Sequence, residues 1–384
     1  MPASSLDQGE AVALLRQLVA IRSYPGEERA AQLAVAEWLT ASGLTPELQP
    51  TPNQQPNVIA HINNGPGPTL LLNGHIDTVL AVEGWDCDPW QGKLDGDRLS
   101  ALGAGDMKSG VVVNMLVARE LLRRRDEWRG TLIFSCVTDE EAHSLGARAL
   151  IAGLKADACF VTEPSFAQAI IGAPGKVLLR VTATGKAAHG FMPEEGVNAA
   201  IELARFVAQV CDAAPTGTHP RIPSSQTVLS FHSGSAQYVI TLPERAEALL
   251  TRQIVPGESA ASVLAQLRAF ADSLRSPASF DIQVEPPFYP PFEFNVAGHP
   301  FAQAFSQASS SVLGAEVPFG YMVGVSDANL TSGEAGIPTI VFGPRAGDFH
   351  QCTEWVDLSS IIPCAEVILT TALAILAGPQ RPPA

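Results

Sequence analysis

The sequence predicts an α/β fold: a largely parallel sheet flanked by helices, interrupted by a smaller inserted β-α-β-β-α-β domain. Three observations lead there. Apolar runs alternate with amphipathic segments over most of the 384 residues. Several of those runs are continuously hydrophobic, as strands buried on both faces must be. Between about residues 177 and 289 the rhythm changes to short strands around two helical stretches. With 46% hydrophobic residues, a chain of this length has enough apolar surface for more than one core.

The first domain, read as 1–176 and 290–384, carries helices over 8–20, 27–43 and 110–125. Its strands fall at 56–62, 69–75, 131–137, 158–162 and 338–342, with "TLIFSCV" an example of an unbroken apolar run. The inserted domain, 177–289, opens on "KVLLRVTATG" and continues through a helix over 197–212, "QTVLSFHSG", "RAEALLTRQIVPG", a helix over 258–275 and "SFDIQVEPP". The proline-rich "EPPFYPPFEF" marks the return to the first domain, and the final "GPQRPPA" reads as a loose tail.

Charge and cysteine usage narrow the function classes. Against 24 Lys plus Arg stand 39 Asp plus Glu, so no broad basic footprint is offered to phosphates, and nucleic acid is not an expected partner. The start, "MPASSLDQGEAVALLRQLVAIRS", lacks a basic segment followed by an unbroken apolar core, and no later run of about 18 apolar residues that could span a bilayer is expected. A soluble cytoplasmic protein with no membrane partner is expected. The six cysteines, Cys87, Cys136, Cys159, Cys211, Cys352 and Cys364, are scattered without a C-x-x-C pair. They read as free buried thiols, not as a disulfide framework or a thiolate metal site.

The chemistry gathers at strand ends. In "LLLNGHIDTV" the residues His75 and Asp77 are two apart, so in a strand they share a face. That suits a metal ligand and its orienting acid, and equally a His-Asp hydrogen bond closing a strand. After "TLIFSCVT" come Asp139, Glu140 and Glu141; after "ACFVT" comes Glu163; after "TIVFGP" a loop reaches His350; and Asp106 in "GAGDMKSG" precedes a helix. Singly, Asp106 is explained by a helix cap, Glu140 and Glu141 by solvation, Glu163-Pro164 by a turn and His350 by a surface position. Jointly, those readings do not explain why acids and imidazoles recur at successive strand ends, where α/β sheets bind ligands. Such a cluster repels itself unless cations sit within it.

The motifs "GHIDTV", "GAGDMKSG", "TDEEAHSLGA", "TEPS", "GKAAHGFMPEEGVNA", "GVSDANL" and "FHQCTEWV" together resemble the metal-dependent acylases and exopeptidases that include acetylornithine deacetylase, succinyl-diaminopimelate desuccinylase, aminoacylase and carboxypeptidase G. The resemblance covers nearly the whole chain, with the motifs in order. It implies a zinc exopeptidase-like catalytic domain with an inserted lid and dimerisation domain. It further implies two divalent ions, zinc first and cobalt as a substitute: His75 and Glu163 on one, Glu141 and His350 on the other, and Asp106 bridging ions about 3.5–4 Å apart. Asp77 would orient His75, with Gly74 letting the chain turn closely into the site. Glu140 would be the general base that activates water and returns the proton to the leaving amine. His189 of the insertion would supply an oxyanion donor across a homodimer interface, and Arg252 would anchor a substrate carboxylate.

Two departures from the family pattern bear on substrate: Leu102 stands where Arg is common before the bridging Asp, and Ile240 where Asn is common in "ITLP". A serine hydrolase would need G-x-S-x-G, but "GVSDA" ends in Ala. A phosphate-binding loop would need Gly where Met107 precedes Lys108-Ser109. The expected reaction is hydrolysis of the amide of an N-acyl amino acid. A di- or tripeptidase or carboxypeptidase of the same family, acting on short peptides, is the neighbouring alternative, and a non-catalytic metal-binding scaffold is the alternative from another class.

Overall fold

The computed structural model describes residues 6–213 and 215–377, so the tail expected of "GPQRPPA" lies outside the described residues. The chain separates into two compact units. One runs to Ile171 and resumes over Glu293–Tyr321 and from Ser326; the other comprises Gly172–Phe292 and Met322–Val325.

In the first unit the sheet takes its strands in the order Pro46–Gln49, Asn57–Asn63, Thr131–Val137, Thr69–His75, Ala158–Val161, Thr339–Val341 and Ala169–Ala173. The four central strands are mutually parallel, with Thr69 opposite Thr131, Leu70 opposite Ala158 and Thr339 opposite Cys159. The outer strands run antiparallel. Every residue of Thr69–His75 after Thr69 is buried, which is why Leu70, Leu71 and Leu72 follow one another without alternation. Because the four central strands are parallel, His75, Val137, Val161 and Val341 all reach the same edge of the sheet.

Helices cover the faces. Asp7 caps Gln8–Val19 by accepting the N–H of Glu10 at 2.7 Å, one of the donors a helix start leaves unpaired. Helix Ser109–Arg123 is buried on all sides from Ser109 to Leu121. Helices Pro300–Leu313 and Ile361–Leu376 pack together beside it. Phe160 and Phe301 meet edge to face at 5.0 Å in this core, where each fully buried Leu, Val or Phe contributes about 1.5–3 kcal/mol. One expectation needs correction here. The segment Leu358–Leu376 is long and apolar enough to pass for a membrane span, with a mean hydropathy of 1.9. It is a core helix: Ile361, Cys364, Ala365, Val367, Ile368, Leu369, Ala372 and Leu376 are buried in the first unit. The thiols also divide: Cys136, Cys159 and Cys364 are buried, whereas Cys87, Cys211 and Cys352 are half-buried, and all six are free.

A small antiparallel sheet in the same unit orders Ala346–Gly347, Trp355–Asp357, Arg98–Ser100 and Lys93–Asp95. Strands of two or three residues leave no periodicity to read, yet this sheet holds both ends of the loop that carries His350.

In the second unit four antiparallel strands take the order Gln226–Ser233, Arg245–Ile254, Gly175–Thr184 and Ser279–Tyr289, with helices Ala199–Asp212 and Ala260–Ser273. Burial alternates along Arg245–Ile254, the mark of a sheet covered on one face. That face packs Val177, Leu179, Val181 and Leu250 against Leu203, Phe206, Val263 and Leu267. The edge strand Gln226–Ser233 is mostly exposed.

Candidate metal centre

Six of the predicted residues meet at the sheet edge of the first unit. His75 ends its strand, Glu140 and Glu141 follow Thr131–Val137, Glu163 follows Ala158–Val161, Asp106 stands in the irregular turn Ala104–Lys108 before helix Ser109–Arg123, and His350 lies in the loop after Ala346–Gly347. Nε2 of His75 is 3.3 Å from Oδ1 of Asp106 and 3.5 Å from Oε1 of Glu163. Nε2 of His350 is 3.4 Å from Oδ2 of Asp106 and 3.3 Å from Oε2 of Glu141. Asp106 therefore turns one oxygen to each imidazole. Donor atoms of His75, Glu140 and Glu163, and of His75, Asp106 and Glu141, gather within 4.8 Å. His75 is 1% exposed, whereas the His350 side chain is 54% exposed, so the cluster opens to solvent on the His350 side.

The expected partnership of His75 and Asp77 is corrected in detail. Nδ1 of His75 lies 3.0 Å from the backbone carbonyl oxygen of Asp77, while the Asp77 carboxylate oxygen nearest it is 3.6 Å away, beyond hydrogen-bond range. The strand ends at His75, so the same-face rule does not extend to Asp77. A carbonyl only accepts; Nδ1–H must donate, which leaves Nε2 to face Asp106 and Glu163 with its lone pair available. The Asp77 carboxylate accepts instead from the N–H of Glu141 at 2.9 Å. Gly74 is likewise not a turn: it lies within the strand, and a Cβ there would stand 3.1 Å from Met107 and 3.2 Å from Val111. Its role is close packing against the segment that follows Asp106.

The electrostatics of this cluster require positive charge. Burial disfavours a charged His75, but Glu163 above all, then Asp106 and Asp77, outweigh it and hold the ring's pKa well above its ordinary value. Asp106 is half-buried, and although burial works against its charge, His350 and His75 keep it well below the usual carboxylate range. Burial, reinforced by Asp106, pushes Glu163 up to about 8. Burial also pushes Glu141 up, and Glu140 well up, the latter with help from Asp327, Glu163 and Glu141. Hydrogen bonding to Asp106 and Glu141 pushes His350 up to about 10. Without cations the site thus holds protons that its carboxylates would otherwise give up. Two buried oxygens, Oδ1 of Asp77 and Oε1 of Glu141, have no hydrogen-bond partner. An all-nitrogen-and-oxygen donor set with partnerless carboxylate oxygens fits divalent ions such as zinc.

Three buried polar residues around the cluster escaped the sequence reading. Asp327 accepts from the Asn73 amide at 2.9 Å behind the His75 strand, and burial pushes it up to about 6. Lys108 Nζ donates to the carbonyls of Leu18 and Ile21 at 3.0 and 2.9 Å. Glu354 takes three backbone N–H groups from residues 103–106. Each falls inside a quoted motif, but their roles depend on contacts distant in sequence, which no local pattern signals.

The remaining predicted residues lie elsewhere. Leu102 is buried in the first unit. In the second unit His189 is exposed, its Nδ1 accepting from Phe191 N–H at 3.3 Å, and Ile240 is exposed as well. Arg252, expected to anchor substrate, is 3% exposed. Its guanidinium binds Glu258 at 2.5 Å, Gln266 at 3.1 Å and Thr216 at 3.4 Å. The side chain points to the helix-covered side of the sheet, where its donors serve a buried ion pair with Glu258 in place of the expected substrate carboxylate.

Comparison with known proteins agrees with this geometry. The sequence model of peptidase family M20/M25/M40 matches residues 71–374. A succinyl-diaminopimelate desuccinylase of Leptothrix cholodnii is 25% identical, over 95% of this chain and 99% of its own. An acetylornithine deacetylase of Edwardsiella ictaluri is 33% identical over 49% of this chain and 51% of its own. Among solved structures, aminopeptidase PepT of Bacillus cereus superposes with a TM-score of 0.79 at 20% identity, covering 96% of this chain and 99% of that one. A dinuclear metal-binding M20 peptidase of Bacillus subtilis gives 0.75 at 19% identity, covering 96% and 98%.

Proposed function

The chain belongs to peptidase family M20/M25/M40, a family of metallo-hydrolases, and on that premise we propose that it hydrolyses the amide bond of an N-acyl amino acid. The observation that carries this reading is the Asp106 carboxylate held between His75 and His350, with Glu140 gathered beside His75 and Glu163. His75 and Glu163 would hold one ion, Glu141 and His350 the other, and Asp106 both; zinc suits the donor set. When bound, such ions supply Lewis acidity to a carbonyl and make water a stronger acid at neutral pH.

The residues of the chain do the rest. Asp77 fixes the His75 ring through its backbone carbonyl and holds Glu141 through its carboxylate. Glu140, ionised once cations offset the burial and the neighbouring acids that push its pKa up, would accept the proton of the attacking water as a carboxylate and pass it to the departing nitrogen. His189, in the second unit, donates to the developing oxyanion of a partner subunit. Exposed Leu229 and Phe231 on the edge strand, with Tyr238 and Val239 in the loop after it, support the homodimer this requires, since unpaired apolar edges favour association.

Acyl amino acids are preferred to peptides because a relative matched over nearly its whole length is named a desuccinylase, whereas the solved aminopeptidase and tripeptidase, at 20% and 22% identity, are alike in fold alone. A scaffold role is disfavoured by the presence of all five ligand positions together with Glu140. Zinc-reconstituted protein should hydrolyse members of a panel of N-acetyl and N-succinyl amino acids faster than di- and tripeptides. The reverse order would make it a peptidase, and no hydrolysis of either a scaffold.

A further inference from the structure

Glu354 is 1% exposed, and both of its carboxylate oxygens are spent on one stretch of backbone. Oε2 accepts the N–H of Gly103 at 3.1 Å; Oε1 accepts those of Gly105 at 3.0 Å and Asp106 at 3.1 Å. Three amides converging on one carboxylate form a concave backbone cradle for an anion, and here the anion comes from the protein itself. The cradle depends on its glycines. Gly103 has φ of 72°, and a Cβ there would stand 2.3 Å from Thr78 Cγ2. A Cβ on Gly105 would meet the Trp355 carbonyl at 2.9 Å and the Ala346 side chain at 2.8 Å, so the turn lies directly on the two strands that flank the His350 loop.

We propose that Glu354 is a positioning residue that fixes the Asp106 carboxylate between His75 and His350. The residue whose N–H it holds at 3.1 Å is Asp106 itself, and four residues before Glu354 in the same loop stands His350. One carboxylate therefore ties the turn bearing the shared acid to the loop bearing the second imidazole. Lys108 holds the other end of the turn through the carbonyls of Leu18 and Ile21, so the Asp106 backbone is gripped on both sides. The inference rests on the reading that Asp106 serves both ions: if it does, loosening its backbone weakens both sites together.

The test is a zinc titration of full-length, chelator-stripped protein against a competing chromophoric chelator. It compares the parent, Glu354→Gln, Glu354→Asp and Arg119→Ala. The last breaks the pair that buried Arg119 makes with half-buried Glu10 and serves as a control for simple loss of stability. Glu354→Gln should weaken both zinc sites by about 10–100-fold, the usual effect of removing a group that orients a ligand. The melting temperature of its metal-free form should fall no further than that of Arg119→Ala. Glu354→Asp, which keeps the charge, should recover part of the affinity. Parental affinity in Glu354→Gln, an equal loss of affinity in Arg119→Ala, or failure of both Glu354 variants to fold would each overturn the assignment. A parent that binds no zinc would instead overturn the metal reading itself, and this inference with it.

Discussion

Nε2 of His75 and Oδ1 of Asp106 lie 3.3 Å apart, and the other oxygen of Asp106 faces Nε2 of His350 at 3.4 Å. A single carboxylate shared in this way makes the two halves of the site interdependent. Asp106→Asn should therefore leave reconstituted protein with fewer than two ions per chain and lower turnover by about two orders of magnitude or more. Elemental analysis after dialysis reads the stoichiometry, and two tightly held ions in the variant would show that Asp106 is not shared.

Glu140 is the converse case. It is not proposed as a ligand, so Glu140→Gln should keep its metal content while turnover falls at least about 100-fold, the range for losing a general acid-base group. Loss of metal in this variant would mean that Glu140 and Glu141 exchange roles. The gathering of donor atoms from His75, Glu140 and Glu163 makes that a real alternative outcome of the metal analysis.

The parts of the site that were legible in the sequence are those fixed by strand register. Parallel strands end together, so acids and imidazoles following "LLLNGH", "TLIFSCV" and "ACFV" had to converge. Contacts made by backbone atoms were hidden: the Asp77 carbonyl that holds His75 and the N–H groups gathered by Glu354 depend on φ and ψ beyond the strand end, which no residue pattern specifies. Arg252 misled for a different reason. The resemblance assigned it a substrate carboxylate, but a carboxylate of the chain itself, Glu258 in the loop before a covering helix, takes it into the interior. The small sheet around His350 has strands too short for any period to show.

Glu28, at the start of helix Arg29–Ala41, gives a pH prediction at a residue outside the proposed ligand set, near enough to Asp77 and Asp139 to feel both. Its side chain is fully buried, neither carboxylate oxygen has a hydrogen-bond partner, and burial pushes its pKa up to about 7 from 4.5. The folded state thus holds this proton to higher pH than the unfolded chain does. Stability is unaffected below the unfolded value, falls as pH rises through the interval, and is lowered in full above about 7, by on the order of 3 kcal/mol. Glu28→Gln should abolish that slope, and Oε1 of Gln32, also buried and partnerless, offers the new amide an acceptor one helical turn away. Denaturant unfolding of chelator-treated protein at pH 5, 6.5 and 8 should show the variant gaining on the parent as pH rises. Parallel curves would mean that Glu28 is ionised throughout.

His189 tests whether the second unit takes part in chemistry. It is exposed, and its Nδ1 accepts from Phe191 N–H, which puts the ring proton on Nε2, where it can donate without breaking a core contact. If it stabilises the oxyanion in a partner's site, His189→Ala should leave metal content and melting temperature unchanged and lower turnover by about 100-fold, as loss of a transition-state donor does. The decisive measurement mixes His189→Ala with Glu140→Gln under conditions in which subunits exchange. In the mixed dimer one site carries both defects and the other neither, so equal amounts pairing at random should restore roughly a quarter of the parental turnover. Mixed dimers shown to be present without recovered activity would confine His189 to its own chain or to packing, and would leave the oxyanion without a donor from the partner.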